Sequence, residues 1–324
     1  MKSAFLSRQA WAQVLLAAAM LGGPPRKASA QPPPPSLSDF GYQRLQALHQ
    51  VQPHRPLLAI AVAFGDTTMS SPDWYYSYIF GATAQSLCVN NWFREVSNGR
   101  FDFSGVGVTG LRLTAEEDWH HVGNEGVYYP NVLIQAFAAN QWTLCDFDTN
   151  NDWTVPENEL ALLIIGTDDG GCAVSVGPVQ QPPNPFPCLF TVWKGTLAKV
   201  DYQTTFATFC HELCHTLGTV DLYGSWGRND RLNDHLTVMG PSDFTACYLD
   251  PWHRMQLGWV EPRIASLRSG GITNIPAAQM GDPTAPLLLY DPSRGLNEYW
   301  LLEYRTATSP AAALMTPTSP ATGW

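Results

Sequence analysis

Residues 211–215 read His-Glu-Leu-Cys-His. On a helix, side chains four apart stand on one face, so His211 and His215 can offer two imidazole nitrogens to one Zn2+. Glu212 then falls beside the open coordination position, where a carboxylate can take a proton from water and pass it to a leaving amine. The run continues Thr216-Leu-Gly218-Thr-Val-Asp221. Gly218 can adopt the left-handed conformation that ends a helix. The chain then turns back, and Asp221 can reach the metal as a third ligand. Two neutral imidazoles and one carboxylate leave a net charge of about +1 on the site, which favours ionisation of bound water. The other way to complete such a site uses a Glu from a following helix. No Glu occurs between Glu212 and Glu261, and Pro262 follows directly, which disfavours helix there. Asp230, Asp234 and Asp243 are the fallbacks.

A second group of donors lies in Asp148-Thr-Asn150-Asn-Asp152-Trp-Thr154-Val-Pro-Glu-Asn-Glu159. Asp148, Asn150, Asp152, Thr154 and Glu159 fall at positions 1, 3, 5, 7 and 12 of an EF-hand-type loop, a set of hard oxygen ligands suited to Ca2+. Position 6 normally takes Gly and here holds Trp153. A register from Asp146 to Glu157 puts Asn151 at that turn, and both registers stay open. His120-His121 and Glu116-Glu117-Asp118 read as a solvated polar loop.

Stepping outward, these groups need a frame. Leu57–Phe64 and Leu160–Ile165 are short apolar runs bounded by turn residues, the pattern of buried strands. Phe101–Leu113 alternates as strand or hairpin. Helical spacing marks Gln85–Ser97, with a stop at Asn98-Gly99, and Val132–Trp142. Thr204–Leu217 is the strongest helix, its buried side formed by Phe206, Phe209, Cys210, Leu213, Cys214 and Leu217. Gly166–Pro187 reads as a long loop, the chain from Gly218 to Pro262 as mostly irregular, and Glu298–Tyr304 as a last strand. No internal repeat is visible. The fold class is mixed, α+β: a sheet first, then a loop-rich C-terminal subdomain.

The 324 residues carry 18 Lys+Arg against 28 Asp+Glu, a formal charge of −10, a balance that argues against nucleic-acid binding, which needs a basic face. Lys2 and Arg8, the apolar stretch Ala10–Leu21, and Ala28-Ser29-Ala30 follow signal-peptide grammar, with cleavage expected after Ala30. The apolar run is short of the roughly 20 residues needed to span a bilayer. The expectation is a secreted protein with no stable membrane insertion. Residues 31–56, with Pro32–Pro35, read as linker or short pro-segment, and residues 57–324 as the functional domain. Seven Cys fit an oxidising compartment. Cys172 and Cys188 are the preferred pair, and the odd count leaves at least one Cys without an intrachain partner. Cys210 and Cys214, about 5–6 Å apart between Cβ atoms on a helix, are too far apart to bridge and read as packing residues.

H-E-x-x-H-x-x-G-x-x-D followed by Met239-Gly240 resembles the metzincin-type metallopeptidases, and most of all the immune inhibitor A family of secreted bacterial zinc proteases. The likeness extends to Trp92–Phe101, Leu217–Tyr223, Val238–Gly240, Pro251–Trp259 and Glu298–Arg305. It implies a metzincin-like fold with a twisted mixed sheet and an active-site helix. It also implies a zinc endopeptidase acting on protein or peptide substrates, with Glu212 as general base and Met239 as the Met-turn residue beneath the His ligands. Relatives continue past the last strand, so the resemblance implies an incomplete C-terminal edge. The Tyr that follows the metzincin Met-turn is replaced by Gly240-Pro241-Ser242, which leaves Tyr223, Tyr248 and His253 as candidates to stabilise an oxyanion. Two rivals remain: an inactive zinc-bearing extracellular binding protein, and haem attachment at Cys210–His215, whose spacing departs from C-x-x-C-H.

Overall fold

The computed structural model describes residues 33–64, 69–81, 88–113, 125–166, 171–174, 179–180, 189–190, 197–201, 206–222, 237–240, 248–268 and 274–306. The expected signal peptide and its cleavage site at Ala30, His120-His121, Cys188, Tyr223, and the fallback ligands Asp230, Asp234 and Asp243 lie outside them. Ser36 onward forms one contact-dense unit, distinct from Met1–Pro35.

The strands are β1 (His54–Phe64), β2 (Asp102–Leu113), β3 (Thr154–Val155), β4 (Ala161–Gly166), β5 (Gly171–Val174), β6 (Val179–Gln180), β7 (Leu189–Phe190), β8 (Leu197–Asp201), β9 (Arg263–Ser266), β10 (Leu287–Tyr290) and β11 (Tyr299–Leu302). The helices are α1 (Arg44–Leu48), α2 (Pro72–Phe80), α3 (Val89–Val96), α4 (Glu125–Ala139), α5 (Phe206–His215) and α6 (Pro251–Gln256). The main sheet has five strands in the order β2-β1-β4-β8-β5. Its β1–β2, β1–β4 and β4–β8 pairs are parallel, and β5 closes the edge antiparallel to β8.

Strands in the middle of a parallel sheet are buried on both faces and need apolar residues throughout. β1 and β4 meet this with Leu57–Val62 and Ala161–Ile165, all buried. Their alternation sorts the layers. Leu57, Ala59, Ala61, Leu163 and Ile165 share a core with α2, α3 and α5. Leu58, Ile60, Val62, Leu162 and Ile164 face the other way, onto Val132, Leu133, Ala136 and Phe137 of α4. Each buried aliphatic side chain contributes about 1.5–3 kcal/mol, so the sheet is the anchor against which α5 is fixed.

The C-terminal part carries more regular structure than its composition announces. β10 pairs parallel with β9 and antiparallel with β11 in a separate three-stranded sheet. Asp250 caps α6 by accepting from the Trp252 and His253 amides, and Pro251 stands in its first turn, a pairing that favours helix initiation. Gly166–Pro187, expected as a loop, contains β5 and β6. Helix α4 begins at Glu125, before Pro130, rather than at Val132. Residues 31–56, expected as linker or short pro-segment, pack into the domain from Ser36 onward rather than forming a free linker. Phe40 is buried with Met255, Val260 and Leu288, and Arg55 is fully buried. The Pro-rich composition belongs to residues 32–35, and the apolar positions that follow it pack.

A buried ion pair ties the last strand to this frame. The Arg254 guanidinium donates to Glu303 at 2.5 Å and to the Val96 carbonyl at 2.8 Å, and lies 4.7 Å over the Tyr248 ring. Arg305 holds the other Glu303 oxygen at 2.5 Å.

Candidate metal centre

Helix α5 presents one buried side to the core through Phe209, Cys210, Leu213, Cys214 and Leu217. Cys210 and Cys214 are free thiols, as their spacing predicts, and burial holds both well above the ordinary thiol pKa. Cys88 is a third buried free thiol, whereas Cys145 is disulfide-bonded.

The helix ends where Gly218 takes φ +85°, the left-handed region open to glycine at little cost. A Cβ at this position would lie 2.1 Å from the His49 ring, so the site excludes a side chain on both grounds. Arg55 donates to the Thr216 carbonyl, and at 3.0 Å to the His49 carbonyl. A cation at a helix C-terminus satisfies carbonyls that the helix itself leaves unpaired. Burial lowers the Arg55 pKa to about 10, against the pull of Glu157.

After Gly218 the chain reverses and brings Asp221 to the histidines. The ligand atoms of His211, His215 and Asp221 converge within 4.8 Å, and no other group of His, Cys, Asp or Glu does so among the described residues. The His211 Nδ1 lies 2.7 Å from the Val238 carbonyl, and the His215 Nδ1 lies 2.9 Å from the Thr219 carbonyl. A carbonyl only accepts, so each ring carries its proton on Nδ1 and turns an Nε2 lone pair to the centre. The two Nε2 atoms are 3.2 Å apart, and Asp221 Oδ1 is 3.0 Å and 3.3 Å from them.

Three acceptors this close repel unless a cation lies among them. A proton can serve. Burial works against a charged His215, yet its bonds to Asp221 and the Thr219 carbonyl raise its pKa. Burial likewise opposes ionisation of Asp221, but when a histidine is protonated its Nε2–H bonds the carboxylate, which holds the carboxyl far below the usual range. The spacing fits a metal closely. Ligands about 2.0–2.1 Å from a tetrahedral Zn2+ lie about 3.3 Å from one another. The donor set of two imidazoles and one carboxylate is also of the kind Zn2+ takes, leaving a fourth position open.

Glu212 is 4% exposed, with Oε1 4.0 Å from His211 Nε2. Met239 is fully buried in the core shared with α5. Its sulfur accepts from the Thr219 hydroxyl at 3.5 Å, and its carbonyl from the Leu222 amide at 2.9 Å. Glu261, set aside as a third ligand, is paired with Arg100 at 2.8 Å.

Two expectations are corrected. Tyr248 donates its hydroxyl to the Glu95 carbonyl at 3.1 Å, under Arg254. His253 is fully buried, with Nε2 accepting from the Val220 amide at 3.2 Å and Nδ1 2.7 Å from Asp250 Oδ2. Both are committed to the scaffold and neither faces a substrate oxyanion. Asp250 and Thr237 are the residues that motif reading missed. The Asp-Pro step at 250–251 was the one signal available.

In the acid loop, Asp148 accepts from the Asp152 and Trp153 amides, Asn150 from the Asp152 amide, and Asp152 from Thr154. Glu159 Oε1 takes both the amide and the hydroxyl of Thr149, at 3.2 Å and 2.5 Å. Its Oε2 is buried without a hydrogen-bond partner. Glu157 instead turns to His49, at 3.0 Å, and Asp146 accepts from the Thr143 amide. Asp146 and Glu157, the ends of the other register, thus bond outside this loop, while its position-6 residue Asn151 takes φ +59°. Trp153, at position 6, takes φ +67°, the conformation for which glycine is usual.

No helix among the described residues is long and apolar enough to cross a membrane. A scan against protein-family models finds no match for this chain, and a search of curated proteins likewise finds none.

Proposed function

We propose that the chain is a secreted, metzincin-type zinc endopeptidase that hydrolyses peptide bonds of protein or peptide substrates. The observation that carries this reading is the meeting of three acceptor atoms at zinc-ligand spacing, with Glu212 on the same helix between the two histidines. Zn2+ held by His211, His215 and Asp221 supplies a Lewis acid for water and for the scissile carbonyl. The backbone carbonyls of Val238 and Thr219 keep each imidazole in the tautomer that binds metal. Glu212 accepts a proton from the attacking water and returns it to the departing amine. Its burial keeps the carboxylate out of bulk water beside the histidines. Met239 closes the apolar side and fixes the turn that carries Asp221.

Elemental analysis of the purified chain, with a casein zymogram run with and without chelator, tests the reading. One Zn2+ per chain and chelator-sensitive cleavage are expected. Glu212→Ala should keep the metal and lose hydrolysis by about 10²-fold or more. A zinc-loaded wild type that cleaves no protein favours the inactive binding protein, and an active Glu212→Ala overturns the mechanism.

We propose a second ion at the acid loop. Asp148, Asn150, Asp152, Thr154 and Glu159 would hold Ca2+, and the orphaned, buried Glu159 Oε2 is the observation that favours it. Isothermal titration with Ca2+ tests this, and loss of the heat in Glu159→Gln is expected.

A further inference from the structure

The zinc reading leaves open what fixes Asp221, the ligand that comes from a loop rather than from the helix. Its own neighbours answer. The Leu222 amide is held by Met239. The Val220 amide is held by His253, which can accept only through an unprotonated Nε2, so its proton sits on Nδ1 and is donated to Asp250 Oδ2. His253 is fully buried. The same Asp250 oxygen accepts the Thr237 hydroxyl at 2.9 Å. Thr237 immediately precedes Val238, whose carbonyl holds the His211 Nδ1. Thr237 Oγ1 also lies 3.3 Å from the Met239 amide, so it pins the turn on both sides of that carbonyl.

We propose that Asp250 and His253 form a buried positioning dyad that sets two of the three metal ligands at once. One arm runs Asp250–His253–Val220 amide to Asp221. The other runs Asp250–Thr237–Val238 carbonyl to His211. Asp250 is itself fixed at the start of α6, where its other oxygen caps the helix. The dyad thus ties the ligand loop to α6 rather than to the helix that supplies the histidines. Outer partners of this kind orient ligands and raise metal affinity. The inference rests on the zinc reading, but it assigns roles that the reading does not contain.

The test measures Zn2+ affinity by competition with a chromogenic chelator, and the visible spectrum of the Co2+-substituted chain, in wild type, His253→Phe, His253→Gln and Thr237→Val. Circular dichroism reports folding in each. His253→Phe removes the acceptor for Val220 and should weaken Zn2+ binding about 10–100-fold, with a shifted Co2+ spectrum. His253→Gln can present its amide oxygen to Val220 and should recover most of the affinity. Thr237→Val should weaken binding through the other arm, and it stands as the test if His253→Phe does not fold. A wild type that takes up no metal overturns the zinc reading and the dyad's role with it. A wild type that binds Zn2+, beside folded variants that bind within about twofold of it, overturns the dyad alone.

Discussion

The candidate metal centre and the acid loop treat their donors in opposite ways: the first brings three ligand atoms to one point, the second spends its carboxylates on its own amides and hydroxyls. The centre draws its ligands from α5 and the turn after it, then borrows support from Val238, Met239 and His253, far along the chain. The acid loop completes nearly all of its hydrogen bonds within residues 148–159. A site assembled from distant segments is only as stable as the whole domain. A local loop can open and close on its own. The comparison teaches where each is vulnerable: the centre to packing changes outside the motif, the loop only to changes within it.

The two regions touch at one joint, and the largest effect is expected there. Gly218 abuts His49, which is bonded to Glu157 of the acid-loop segment. Gly218→Ala must either strain a left-handed residue or displace His49. A loss of about 2–3 kcal/mol of stability is expected in urea melts, with a weakened response to Zn2+. If stability is unchanged, the joint is not a joint. Glu159→Gln should act locally. Ca2+ affinity should fall at least about tenfold, which is about 1.4 kcal/mol, while Zn2+ content stays at the wild-type level. Coupled loss of both metals would erase the distinction between the regions. Trp153→Gly should tighten Ca2+ binding severalfold, since it relieves roughly 1 kcal/mol of backbone strain at φ +67°. Terbium titration, read by direct excitation, measures it. The smallest effect is expected at Cys210 and Cys214. Burial raises both thiols well above the ordinary range, and the thiolate is the reactive form. Neither should react with a disulfide reagent at pH 8 unless the helix is unfolded. Rapid labelling would show that the centre opens as freely as the loop.

The parts legible in the sequence were those with a period or a fixed spacing. β1 and β4 announced themselves as apolar runs, and α5 by its helical face. His211, His215 and Asp221 converge as the spacing implied, because helix geometry and one glycine turn suffice to place them. Other features depend on tertiary partners and leave no local mark. β9 and β10 are four residues long, too short to show alternation against a loop background, whereas their partner β11 lies within the expected strand Glu298–Tyr304. Arg55 reads as an ordinary charge after a proline linker, and only the end of α5 makes it a buried cap. His253 looked available for catalysis because imidazole is versatile, and its burial could not be read from its neighbours in sequence.

The Arg254–Glu303 pair has a consequence for a shortened chain. Its two members are 49 residues apart, and Arg254 is enclosed by Tyr248 and the Val96 carbonyl. An unpaired buried charge costs about 3–5 kcal/mol, a large share of a domain's stability. A chain cut before residue 303 would leave Arg254 buried without that carboxylate, so α6, and the Asp250–His253 arm that hangs from it, should lose stability before the main sheet does.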